Sequence, residues 1–254
     1  MEEIMNKYFL RLLVSISLGM LLTASHAMAG KIFVTVKNLT NGLYFTPLLI
    51  TAHDSNTRLF ELGVTASDEL QAMAEGGNID LLTQMLGGAD QDTIINPAAG
   101  LLGPGDIVDD IQLNTRKTKN RYLSMTAMLL PTNDGFVGLD SILIPRKPGA
   151  YSFFLYGYDA GTEANDELIT GGGAPGVPGI PAAPGADGGF DGTGVAFFDT
   201  NTTVHIHRGN IGDLDIEGGI SDLDSSIHRW LNPVAELVIE VPGRRGNNDD
   251  KDDD

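Results

Sequence analysis

The stretch "PVAELVIEV", residues 233–241, decides the fold. Leu237, Ile239 and Val241 recur at every second position, and Glu236 and Glu240 fall on the alternate ones. Successive side chains of a strand point to opposite faces, so this segment predicts a strand with one apolar and one wet face. Strands wetted on one side belong to antiparallel sheets, because parallel sheets are covered on both faces.

Working outward from it, "KIFVTVKNLT" (31–40) repeats the alternation through Ile32, Val34 and Val36. "YFTPLLITAHD" (44–54) predicts a more buried strand. Further strands are expected in "DIVDDIQL" (106–113), "RYLSMTAMLL" (121–130), "SILI" (141–144), "YSFFLYGY" (151–158) and "TTVHIH" (202–207). Between them lie two short helical patches. In the first, Thr65 or Ser67 serves as N-cap, Leu70, Met73 and Ala74 share a face, and Gly76 and Gly77 stop it. In the second, Asn78 caps and Leu82 and Met85 turn inward. Many short strands with turn-rich joins and only short helices predict an all-β chain, an antiparallel β-sandwich with short helical insertions.

The chain has 254 residues and no cysteine. Lys7 and Arg11 precede an uncharged, mostly apolar run ending in "AMA" (27–29), which predicts a secretory leader over 1–29 cleaved near Ala29. A secreted or periplasmic protein without disulfides depends on its hydrophobic core. One domain is expected over 30–243, interrupted by a flexible Gly/Pro-rich insertion at 170–194 and followed by an acidic, disordered tail at 244–254. The triplet rhythm of "GAPGVPGIPAAPGADG" is too short and broken for a collagen helix. No membrane-spanning segment is expected after the leader.

Formal net charge is −18. Such a surface repels nucleic acid, which is excluded as a partner, and favours divalent cations. The acids gather in "YGYDAGTEANDE" (156–167), where a strand runs straight into Asp159, Glu163, Asp166 and Glu167. Asp134, in "PTNDGFVGLDS" (131–141), also follows a strand. Loops at one rim of a sandwich converge, so these acids form either a solvated edge or a calcium site built from carboxylates and carbonyls. The spacing is not that of an EF-hand: the sixth position from Asp159 is Ala164 and the twelfth is Thr170. His205 and His207, two apart, face one side of a strand and form a second, weaker candidate for a transition metal. No G-x-S-x-G, P-loop or H-E-x-x-H motif occurs, so no enzyme is expected, with a secreted hydrolase as the rival reading. Phe60 and Trp230 are expected in the core rather than as sugar platforms.

Three segments carry a resemblance. "FTPLLITAHDSNTRLFELGVTASDELQAMAEGG" (45–77), "RYLSMTAMLLPTNDGFVGLDSI" (121–142) and "YDAGTE" (158–163) resemble the spondin domain of F-spondin and mindin, and "RWLNPVAELVIEV" (229–241) looks similar to its late strand. The resemblance implies a C2-like sandwich with Ca2+ held by rim acids, here Asp134, Asp159 and Glu163. Glu163 departs from the family's aspartate, and Asp166 is its substitute. The expected role is an adhesion or ligand-binding module, and an acidic rim is compatible with an extracellular protein, a glycan or a calcium-bridged surface as partner. The cysteines of the animal domains are absent here.

Overall fold

The alternation in 233–241 becomes strand β10 (Ala235–Val241), and 31–40 becomes β1 (Lys31–Asn38), in the computed structural model of the chain. The structure describes residues 30–87, 92–115, 119–185, 191–195, 200–215 and 217–243. The expected leader (1–29) and acidic tail (244–254) lie outside the described residues. Strands β1 and β10 pair antiparallel, with Phe33 opposite Glu240 and Asn38 opposite Ala235. In β1 every second residue is buried, from Ile32 to Asn38, as its pattern predicts.

The other strands are β2 (Tyr44–Phe45), β3 (Leu49–His53), β4 (Thr93–Ile95), β5 (Ile107–Asn114), β6 (Tyr122–Leu130), β7 (Gly135–Leu143), β8 (Gly149–Asp159) and β9 (His205–Ile206). Every strand pairing is antiparallel. Among the described residues the sheet runs unbroken in the order β4-β3-β6-β7-β8-β10-β1-β5, with β2 on β6 and β9 on β8. The all-β, antiparallel expectation holds. The two predicted layers are one strip curled on itself, nearly closed like a barrel. Its inner face packs Val34 and Ile239 together with Leu123, Met125, Val137 and Leu155.

A second core lies on the outer face of β6 and β7. Helix α1 (Asp68–Gly76) sets Leu70, Met73 and Ala74 against Met128, Leu130 and Phe136. Strand β6 is therefore buried on both faces, which is why "RYLSMTAMLL" lacks the alternation of β10. Ser67 Oγ caps α1 by accepting from Leu70 N–H, and Gly77 ends it in the left-handed region at φ 68°. In α2 (Asp80–Met85), Asn78 Oδ1 accepts from Asp80 N–H, but Met85 is 45% exposed, not inward. The helix is too short to bury two positions, and Leu86, one residue on, packs against the cluster instead. No described helix is long and apolar enough to cross a membrane.

The Gly/Pro-rich segment holds no regular element in its described part. It is tied down nonetheless. Gly171 N–H donates to Ile180 O, Ile180 N–H to Leu168 O, and Ile180 is fully buried. Glu75 of α1 accepts from Gly176 N–H. A Cβ on Gly76 would meet Gly173 O at 1.9 Å, so the helix end must be glycine where this segment crosses it.

Candidate metal centre

The site stands where β6 ends and β7 begins, and where β8 ends beside them. Gly135 pairs with Asp159 across β7 and β8, and Asp159 pairs with His205 across β8 and β9. Asp134, Asp159 and Glu163 therefore come to one rim, and His205, which the sequence reading set apart with His207, comes to the same rim.

The turn that carries Asp134 is pinned by Thr132, whose Oγ1 donates to Leu129 O at 2.6 Å and accepts from Gly135 N–H at 3.0 Å. A Cβ on Gly135 would lie 2.7 Å from that hydroxyl oxygen, so the turn closes only over glycine. Asp134 is fully buried. Its Oδ2 accepts from Thr162 N–H at 2.8 Å, Glu163 N–H at 3.1 Å and the Thr162 hydroxyl at 3.2 Å. Its Oδ1 is buried with no hydrogen-bond partner. Burial, reinforced by the neighbouring Asp159, pushes the Asp134 carboxyl up to about 7.

Asp159 is 1% exposed. Its Oδ1 accepts from Gly161 N–H at 2.8 Å and its Oδ2 from Asn165 Nδ2 at 2.7 Å. Gly161 takes φ 71°, and a Cβ there would strike the Thr202–Thr203 backbone at 2.7 Å. That explains the glycine in "DAGT" physically.

Glu163 is half-buried. Its Oε1 accepts from Gly179 N–H, while Oε2 is buried without a partner. Burial pushes its carboxyl up to about 8, the Gly179 bond pulling the other way and Glu75, Asp134 and Asp166 adding to the rise. The suggested substitute, Asp166, braces loops: its Oδ1 accepts from Asn133 Nδ2 and from Leu168 N–H.

The two histidines take different places. His207 is 4% exposed, its Nδ1 accepts from Gly209 N–H, and its ring lies 5.0 Å from that of Trp230. Nε2 therefore carries the hydrogen and donates to Asn165 Oδ1 at 3.1 Å. Both ring nitrogens of His207 are engaged. His205 is partly exposed, its Nδ1 2.8 Å from Thr203 O and its Nε2 3.8 Å from Asp159 Oδ2. Among the described residues, no group of three or more His, Asp or Glu side chains stands in an arrangement that would hold a metal ion. The donor set still has the chemistry for a hard cation: two buried, unpartnered carboxylate oxygens, Asp134 Oδ1 and Glu163 Oε2, with the Asp159 carboxylate alongside.

Sequence reasoning missed the supporting roles of three residues. Asn165 links Asp159 to His207, and Asn133 accepts from Glu167 N–H while donating to Asp166. Glu167, one of the clustered acids, is 3% exposed and accepts from Ile211 N–H, Gly212 N–H and the Ser221 hydroxyl. It thereby ties Ile211 and Gly212 to Ser221. Nothing local distinguishes such an acid from a solvated one, since its partners lie more than forty residues away.

The Spondin_N family model matches residues 33–167, more than half of the chain. The chain belongs to the spondin family. No curated protein matches it. The match takes in Asp134, Asp159 and Glu163 and stops before His205, His207 and β10, although β10 completes this spondin domain by pairing with both β1 and β8.

Proposed function

We propose that this spondin domain is an exported calcium-binding module for adhesion or ligand binding, with the rim acids as its cation site. The observation that supports the reading is Asp134. It is a carboxylate wholly removed from water, with one oxygen lacking any partner and a second buried carboxylate next to it. Burying such a group costs several kcal/mol unless it is protonated or compensated. When bound, the ion supplies two positive charges and takes six to eight oxygens, which side chains, carbonyls and water share. Asp134, Asp159 and Glu163 would hold it. Asp134 and Glu163 give up their protons to do so, and Asn165 keeps Asp159 oriented. The module binds rather than catalyses.

The experiment is thermal unfolding of metal-free protein with calcium and with EDTA. Calcium at a hundredfold excess over Kd adds about 2.7 kcal/mol, or roughly 5–10 °C for a domain of this size. An unchanged Tm at millimolar calcium rejects the reading. A second reading follows from His205 Nε2 lying 3.8 Å from Asp159 Oδ2, a nitrogen beside the acids. On that reading zinc or manganese shifts Tm more than calcium does, and His205→Gln removes the preference.

A further inference from the structure

At the opposite end of β6 the charge changes sign. The strand spans eight residue steps from Tyr122 to Leu130, roughly 26 Å, so its start lies far from the acid rim. There the ends of β3 and β7 meet the start of β6: Tyr122 faces both His53 and Leu143, Arg121 N–H donates to His53 O, and Ile144 N–H donates to Arg121 O. These elements frame an open cleft of about 670 Å³ whose lining includes Lys119, Arg121 and Arg146.

Three cations in one cleft are unexpected here. Acids outnumber bases by 34 to 16, so counter-charges are plentiful. Arg58 has taken one, pairing with Asp140, but none of the three cleft cations has an ion pair among the described residues. The one acid among the described lining residues, Asp54, is turned to its own loop, where its Oδ1 accepts from Asn56 N–H and the Thr57 hydroxyl. Nor does the distant acid rim cancel them. The Debye length at physiological salt is about 8 Å, so charges some 26 Å away are screened. The cleft is thus a local positive site on an acidic molecule.

Its walls narrow the ligand. The volume exceeds what one oxyanion fills, and the cleft lies open to solvent. Arginine forks match carboxylate and sulfate in pairs. Ser55 and Asn56 offer hydroxyl and amide groups suited to sugar hydroxyls, and Tyr122, stacked on His53, offers an aromatic wall. On a chain of net charge −18 a long polyanion meets more overall repulsion than a short chain with spaced charges.

We propose that this cleft binds an acidic oligosaccharide, with Arg121 and Arg146 holding its carboxylate or sulfate groups and Lys119 at the edge. The site is independent of calcium.

The test is calorimetric titration of the full chain in EDTA, which removes any ion bridge. The probes are a carboxylated trisaccharide (trigalacturonate), a sulfated oligosaccharide of similar length, neutral chitotriose and a short oligothymidylate. Saturable binding of either acidic sugar is expected, and the preferred one tells carboxylate from sulfate recognition. Arg121→Gln and Arg146→Gln should each weaken it about tenfold or more, and the exposed Arg229→Gln should leave it unchanged. Arg146 is exposed, so its variant decides the matter should Arg121→Gln fail to fold. The proposal is overturned if neither acidic sugar saturates, if chitotriose or oligothymidylate binds as tightly, or if Arg229→Gln weakens binding equally.

Discussion

Asp134 and Asp159 are set side by side by strand register: Gly135 pairs with Asp159, and Ala160 N–H donates back to Asp134 O at 3.3 Å. Two carboxylates in so dry a place repel each other, and the relief of that repulsion is the basis of the first two predictions.

Asp159→Asn should abolish most of the calcium-induced rise in Tm, because it removes one of the two fully buried acids at the rim. Glu240→Gln, at an exposed position on β10, should leave the rise intact. Scanning calorimetry with and without calcium checks this. Equal losses in both variants would mean that the acids act only as a diffuse field.

Stability in EDTA should fall as pH rises. The Asp134 and Glu163 carboxyls are lifted to about 7 and about 8 in the folded chain, above the ordinary range they take when unfolded. The folded state therefore holds more protons than the unfolded state between about pH 4 and 8, and stability is lost through that window as pH rises. Tm measured from pH 4 to pH 9 should decline in EDTA, and Asp134→Asn should flatten the decline. A rise over the same range would contradict the buried geometry. Saturating calcium should suppress the decline, since the ion takes the place of the protons.

Asn165→Ala should destabilise the metal-free protein by about 1–3 kcal/mol, the cost of leaving buried partners unpaired. It removes the donor to Asp159 Oδ2 and the acceptor of His207 Nε2–H together. Urea unfolding measures the loss. Asn165→Asp should cost more, because a third carboxylate would then face Asp159. If the aspartate variant proves the more stable, the link is not structural.

Gly157→Ala should cost about 1–3 kcal/mol by overpacking. A Cβ at 157 would lie 2.3 Å from the Trp230 ring, which fills the space above β8. Trp230→Phe shortens that ring, so the double variant should be less damaged than the sum of the two single ones. A double-mutant cycle by chemical denaturation reads the coupling.

How much of this was legible in the sequence depends on how local each signal is. Alternation in β1 and β10 is written into neighbouring residues, and both strands appear where it places them. Ser67 and Gly77 mark α1 because caps act within one turn. Met85 fails because its fate depends on where α1 and Leu86 pack, which no helical period contains. The rim acids split the same way. Asp134 and Asp159 follow strands and can be placed from that fact alone. Glu167 and Asp222 look equally solvated in sequence, yet both are buried and accept backbone N–H groups of distant loops. Glycine-rich 168–180 gives no sign of its ties to Glu75 and Glu163, since those bonds run to carboxylates on other elements.

Because β1 and β10 lie edge to edge, with Phe33 opposite Glu240, the described chain enters and leaves at almost one point. Val241 sits across from Gly149, at the far end of β8 from Asp159. Whatever is joined to either side of the domain is therefore anchored at the pole of the basic cleft. The acidic rim stands at the other end of β8, like the tip of a pendant hung from that seam.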